Sequence, residues 1–182
     1  MKKKTKSIKA LIIFFMITLF LSSLTAIPAE TELAFLTRCF PVDSAIGEWL
    51  ERVYLGVFNT NKDYPFIAYG YDWLAFAHFV LAILFIGPLR EPVRNKWVIE
   101  FGIIACLLII PFAMIAGYYR GIPFWWRAID CSFGLIGMVP LTICYRRINQ
   151  LELIKAKDNL YESSADNESI GPDRYFLTKH HS

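Results

Sequence analysis

Five ionisable residues stand inside stretches that are otherwise apolar: Asp72, His78, Glu100, Arg127 and Asp130. A charged side chain at the centre of a membrane-spanning helix costs about 2.5–3.5 kcal/mol on insertion scales, so such residues face other protein groups or water and are functional candidates by default. The chemistry open to this set is narrow. An aspartate and a histidine can exchange a proton, and histidine does so near neutral pH. An arginine can neutralise an aspartate or hold a phosphate or carboxylate. Arg127 and Asp130 are three residues apart, within reach of each other on a helix, and are expected to pair. Asp72 falls near the outer end of its segment, with His78 six residues on, roughly 9 Å deeper at ~1.5 Å per residue. Arg120 and Arg127 border the same outer end. Asp72, His78, Arg120, Arg127 and Asp130 are therefore expected to line an outward-facing polar pocket that tapers toward the bilayer centre. Glu100 follows Lys96 by four residues and is expected to pair with it or to reach for water.

No metal or cofactor is expected. A bis-histidine haem needs a second histidine in the membrane, and His180 and His181 belong to the tail. No spacing of cysteine and histidine matches a zinc site. Cys39, Cys106, Cys131 and Cys144 show no disulfide framework and read as small residues in helix contacts. A bridge between Cys39 and Cys131 is the alternative in an oxidising compartment.

The elements that position these residues follow from the bulk pattern. The chain has 182 residues, of which 55% are hydrophobic and only 19% charged, with a mean hydropathy of +0.41. Soluble domains carry about 25% charged residues. Four apolar runs, about 8–27, 69–89, 97–117 and 123–145, each approach the roughly 20 residues that cross a bilayer. Backbone polar groups in lipid must be satisfied within the segment, so all four are expected to be α-helices. Asp130, Gly134 and Gly137 share one face of the fourth, and small residues on a face let helices approach closely. Pro111 and Pro140 each remove a hydrogen bond inside a span.

Lysine and arginine placement orients the spans. Lys2, Lys3, Lys4, Lys6 and Lys9, then Arg90, Arg94 and Lys96, then Arg146, Arg147, Lys155 and Lys157 fall on one side. Arg38, Arg52, Lys62, Arg120 and Arg127 fall on the other. Twelve against five places the first set, and both termini, in the cytoplasm. Trp73, Trp97, Trp125 and Trp126 mark span starts, where indole prefers the headgroup layer. Residues 1–27 resemble a secretory signal, but "LTAIPAE" offers no clean small-x-small cleavage site, so an uncleaved helix is expected. Within the external segment 28–68, Asp43 or Ser44 can cap a helix in which Ile46, Trp49, Leu50, Val53, Tyr54 and Val57 recur at helical spacing, ending near Asn59–Asn61. Residues 69–145 form a three-helix membrane core, and 146–182 a polar, mobile cytoplasmic tail. The expected fold is all-α: a polytopic four-helix transmembrane bundle with a short external amphipathic helix. No stretch interleaves basic and aromatic residues in a polar context, so nucleic acid is not an expected partner.

The runs "FIGPLREPVRNKWVIEFG" and "RGIPFWWRAIDCSFG" resemble a small, uncharacterised group of bacterial four-span inner-membrane proteins, over most of residues 25–150. Fainter is a resemblance to VanZ-like proteins: Asp72 and His78 entering one helix, and Arg127 and Asp130 before the spaced glycines Gly134 and Gly137 in the last. Trp73 stands where that family has lysine, and its glutamate and glutamine before the last helix are missing. The VanZ resemblance implies an envelope or antibiotic-resistance role. The residues themselves favour a non-catalytic binding or assembly component that takes a small molecule, a lipid headgroup or a partner helix. The alternative is a membrane enzyme or proton-coupled transporter using Asp130 and His78. Partners are the lipid bilayer and a membrane protein or further copies of the chain.

Overall fold

The computed structural model describes residues 2–169. Every element among them is helical: α1 (Lys2–Ala26), α2 (Ala29–Cys39), α3 (Ala45–Asp63), α4 (Pro65–Leu84), α5 (Ile86–Arg90), α6 (Lys96–Tyr119) and α7 (Phe124–Ser169). The all-α reading therefore holds. Four stretches are long and apolar enough to cross a membrane: Thr5–Ala26, Pro65–Arg90, Lys96–Tyr119 and Phe124–Glu162. Most large apolar side chains along them are exposed. That is the expected surface of helices solvated by lipid, and it makes the chain a multi-pass membrane protein by length and composition. The described residues fall into two compact units, Lys9–Arg90 and the remainder.

In the Lys9–Arg90 unit, α1 and α4 run side by side in opposite directions. Phe15 meets Phe85 at 4.8 Å between ring centroids, Phe20 meets Phe79 at 6.1 Å, and the buried Ser23 hydroxyl donates to the Ala75 carbonyl at 2.8 Å. Pro65 occupies the first turn of α4, where its missing N–H costs nothing. The helix is interrupted at Phe85, and the buried Pro88 lies in α5 just beyond. A proline at 88 cannot donate to the Leu84 carbonyl, which is why regular α4 stops there.

Between α1 and α4 the chain holds two helices, α2 and α3, one more than its sequence pattern suggested. Helix α3 is capped by Ser44, whose hydroxyl accepts from the Gly47 N–H at 3.0 Å and donates to the Pro41 carbonyl at 2.7 Å. A Cβ at position 47 would overlap the Pro41 oxygen, so glycine is required at this turn. The far end of α3 is tied to the start of α2 by Asn61 Nδ2 donating to Glu30 Oε2 at 2.7 Å. Ser44→Ala removes the side-chain cap and is expected to cost about 1 kcal/mol locally. Hydrogen exchange should quicken at the first turn of α3 and leave α4 unchanged; unaltered exchange at Gly47 would contradict the cap.

In the second unit, α6 and α7 form an antiparallel hairpin. Buried residues on α7 are Gly134, Pro140, Leu141, Cys144, Ile148 and Leu151, with alternating steps of three and four after Leu141. This is the seam spacing of helices packed at a shallow angle. Val98, Ile99, Gly102, Cys106 and Gly117 are buried on α6. The turn between them is a Schellman motif: Ile122 N–H donates to the Gly117 carbonyl at 2.9 Å and Gly121 N–H to the Tyr118 carbonyl at 3.1 Å. Gly121 sits at φ +67°, a conformation that favours glycine. Pro123 follows, and its carbonyl receives the N–H groups of Trp126 and Arg127 as α7 begins.

Helix α7 does not end with the apolar run. It continues to Ser169, so residues 146–169, expected as part of a polar, mobile tail, are helix. Leu, Lys, Ala and Glu dominate "LELIKAKD", and these are good helix formers that need no apolar stripe to propagate an existing helix. Residues 170–182, with His180 and His181, lie outside the described residues.

Candidate functional site

Asp72 and His78 belong to the Lys9–Arg90 unit, whereas Arg120, Arg127 and Asp130 belong to the other. Each group has its own surroundings.

Arg127 lies seven residues before Gly134, on the seam side of α7, and its side chain crosses to α6. A Cβ at position 117 would overlap Arg127 Cδ and stand 2.6 Å from Cγ, so Gly117 provides the channel through which the stem passes. At its end Nη1 donates to the Met114 carbonyl at 3.2 Å, and the guanidinium carbon lies 5.6 Å from the Phe124 ring centre. The Nε atom is buried without a hydrogen-bond partner. Arg127 also borders a surface recess of ≈ 490 Å³ with Met114, Ile115, Tyr118 and Tyr119. Arg120 is exposed and is not part of that lining.

The expected Arg127–Asp130 pair does not form. Among the described residues the ion pairs are Arg94–Glu91 and Lys96–Glu152, and Asp130 has no hydrogen-bond or ion-pair partner. The reason is directional: helical side chains lean toward the helix N-terminus, and the Gly117 channel draws the arginine stem across to α6. Asp130 itself is half-buried on α7. Its neighbour Cys131 points Sγ at the Ile110 carbonyl of α6, 3.8 Å away. All four cysteines are free, Cys39 exposed and Cys106 and Cys144 buried.

Lys96 likewise has another partner than the one its spacing suggested. Its Nζ reaches Glu152 of α7 at 3.2 Å and sits 5.1 Å from the centre of the Tyr145 ring. Glu152 was legible only as part of a tail. Once α7 is continuous, the hairpin's register brings it beside the first residue of α6.

On α4, Asp72 shares a recess of ≈ 270 Å³ with Tyr69, Trp73 and Phe76. His78 is not in that lining. Six residues place it about 240° around the helix from Asp72, so the two do not share a face. Its Nδ1 lies 2.9 Å from the Leu74 carbonyl, one turn back on the same helix. A carbonyl can only accept, so this contact requires the proton on Nδ1. Among the described residues no three histidine, cysteine, aspartate or glutamate side chains gather as metal ligands would.

No family model, curated protein or solved structure matches this chain.

Proposed function

We propose that the chain is a non-catalytic binding component of the bacterial inner membrane, with both termini in the cytoplasm, whose α6–α7 hairpin holds an anionic group at Arg127. The observation that carries this reading is the state of the guanidinium. It is fixed over Gly117, it has the Met114 carbonyl as its acceptor, and it has no carboxylate partner. A guanidinium offers five N–H donors and a permanent charge, suited to bidentate binding of phosphate or carboxylate. The recess beside it is bounded by Tyr118 and Tyr119. With Phe124, Trp125 and Trp126 across the turn, these form the aromatic collar that marks the headgroup layer, where lipid phosphates lie. A headgroup phosphate at this level needs no passage into the hydrocarbon. The proton-transfer alternative is less well supported, because the His78 ring is committed to its own helix.

The test is lipid retention by the purified full-length chain. A charge-assisted hydrogen bond is worth about 1.5–3 kcal/mol, so Arg127→Gln is expected to weaken phosphatidylglycerol binding roughly 10- to 100-fold. Arg127→Lys should keep part of the binding. Arg120→Gln, outside the recess, should leave it near the parent value. Native mass spectrometry of the protein released from mixed-lipid nanodiscs reads all three. Equal losses at positions 120 and 127 would mean a diffuse charge effect and would remove the case for a site.

A further inference from the structure

We propose that the Asp72 recess on α4 is a binding site for an organic ammonium group, of the kind carried by choline or ethanolamine. Tyr69, Asp72, Trp73 and Phe76 follow one another at steps of three, one and three, so they share one face of the helix. The Tyr69 and Trp73 rings stand at 84° with centroids 5.8 Å apart, and the Trp73 and Phe76 rings at 90°, also 5.8 Å apart. The rings therefore form the walls of a corner instead of a flat stack. Tyr69, Trp73 and Phe76 are 60%, 55% and 54% exposed, so the corner is open to a ligand.

An aromatic belt explains tyrosine and tryptophan near the start of a span. It does not explain an acid set among them. Aromatic faces are electrically negative, and a carboxylate beside them adds a full negative charge. Asp72 has no hydrogen-bond or ion-pair partner among the described residues, and α4 contains no lysine or arginine. Among the described residues no cation pairs with Asp72, so the corner concentrates negative potential. Cation–π attraction is strongest on tryptophan, and aromatic cages are the usual solution for quaternary ammonium. A divalent metal is a poor fit, since the other three lining residues are aromatic and no second carboxylate joins Asp72 there. The recess of ≈ 270 Å³ lies just under the usual range for small-molecule pockets, which suits a headgroup-sized ligand.

The site takes the same chemistry from two sources: a free ammonium compound or a zwitterionic lipid headgroup. The test uses the full-length chain in phosphatidylglycerol nanodiscs, whose lipid carries no ammonium. Calorimetric titration with choline chloride, against a sodium chloride blank, should show saturable binding. The uncharged isostere 3,3-dimethylbutan-1-ol should not compete. Trp73→Leu is expected to weaken choline binding about 5- to 30-fold, and Asp72→Asn roughly tenfold. Both positions are exposed, and circular dichroism melts should confirm that the variants fold; Phe76→Leu gives a third reading on the same corner. Doping the discs with phosphatidylcholine or phosphatidylethanolamine then separates the sources: lost choline binding assigns the site to the headgroup, and unchanged binding assigns it to a free ammonium. No saturable binding, equal binding of the alcohol, or unchanged affinity in folded variants would each overturn the proposal. None of these outcomes depends on the anion site at Arg127.

Discussion

Gly134→Leu is expected to break the α6–α7 hairpin. A Cβ at position 134 would lie 2.6 Å from the Cys106 carbonyl oxygen and 3.3 Å from Ile109 Cβ. The first is a backbone atom of the facing helix and cannot rotate away. The two helices would have to separate, and every seam residue from Gly134 to Leu151 would lose part of its packing. Overpacking a tight core typically costs about 1–3 kcal/mol. Alanine at 134 should fall in that range, and leucine should exceed it, because its Cγ and methyl groups must also be housed. In membranes the association of helices rests on such close approach, since lipid competes equally for apolar surface. The contrast is with Gly56 and Gly70, where an added Cβ meets nothing within 4 Å. Alanine there should be neutral or stabilise its helix by up to about 1 kcal/mol. Unfolding by graded denaturing detergent, followed by helical circular dichroism, ranks the four variants. Gly134→Leu as stable as the parent would mean that the seam is not a close-packed one.

The same seam shows what could and could not be read from residues alone. The four apolar runs were legible because length decides helix against strand, and their boundaries moved by only a few residues except at the end of the fourth, which runs on to Glu162. The seam glycine was legible too, because Asp130, Gly134 and Gly137 recur at helical spacing. The partner of Arg127 was not. Its nearest acid in sequence is Asp130, three residues on, and local spacing favours that pair. The choice of the Met114 carbonyl depends on the Gly117 channel, and Gly117 faces Arg127 only through the Schellman turn at Gly121. A contact set by hairpin register has no signature in either strand of sequence taken alone. Lys96 and Glu152 repeat the lesson at the other end of the hairpin, since that pair requires α7 to outlast its apolar run. Helix α2 was hidden for another reason. "AETELAFLTRC" mixes apolar and charged residues too evenly to declare a buried face, and none of its residues is buried. The aromatic corner at Asp72 sits between these cases. Its i, i+3, i+4, i+7 spacing is visible in the sequence, but the perpendicular rings that make it a recess are not.

Side-selective labelling is expected to give the largest effect of all, a yes-or-no difference between Cys39 and position 159. Charge placement is what sets this orientation. Counted as far as Lys157, the twelve lysines and arginines near the N-terminus, between the second and third spans and just after the fourth outnumber the five on the other side. Retention of basic residues in the cytoplasm orients such spans. Four crossings then return the chain to the side on which it began. Helices α2 and α3, between the first and second spans, are then expected outside, and the end of α7 beyond Glu162 inside. Cys39 is a natural reporter, because it is exposed at the end of α2, whereas Cys106 and Cys144 are buried in α6 and α7. A membrane-impermeant maleimide added to intact spheroplasts should modify Cys39 fully. In a Cys39→Ser background, Asn159→Cys should stay unmodified until the membrane is permeabilised. Cys131 is half-buried within its span, and Cys39→Ser without the second change supplies its background. Labelling of both positions in intact spheroplasts, or of neither, would place them on one side and defeat the four-span topology. Reversed labelling would keep four spans and put both termini outside. That result would also move the aromatic collar of Arg127 and the Asp72 corner to the cytoplasmic face, where the lipids available to each are different.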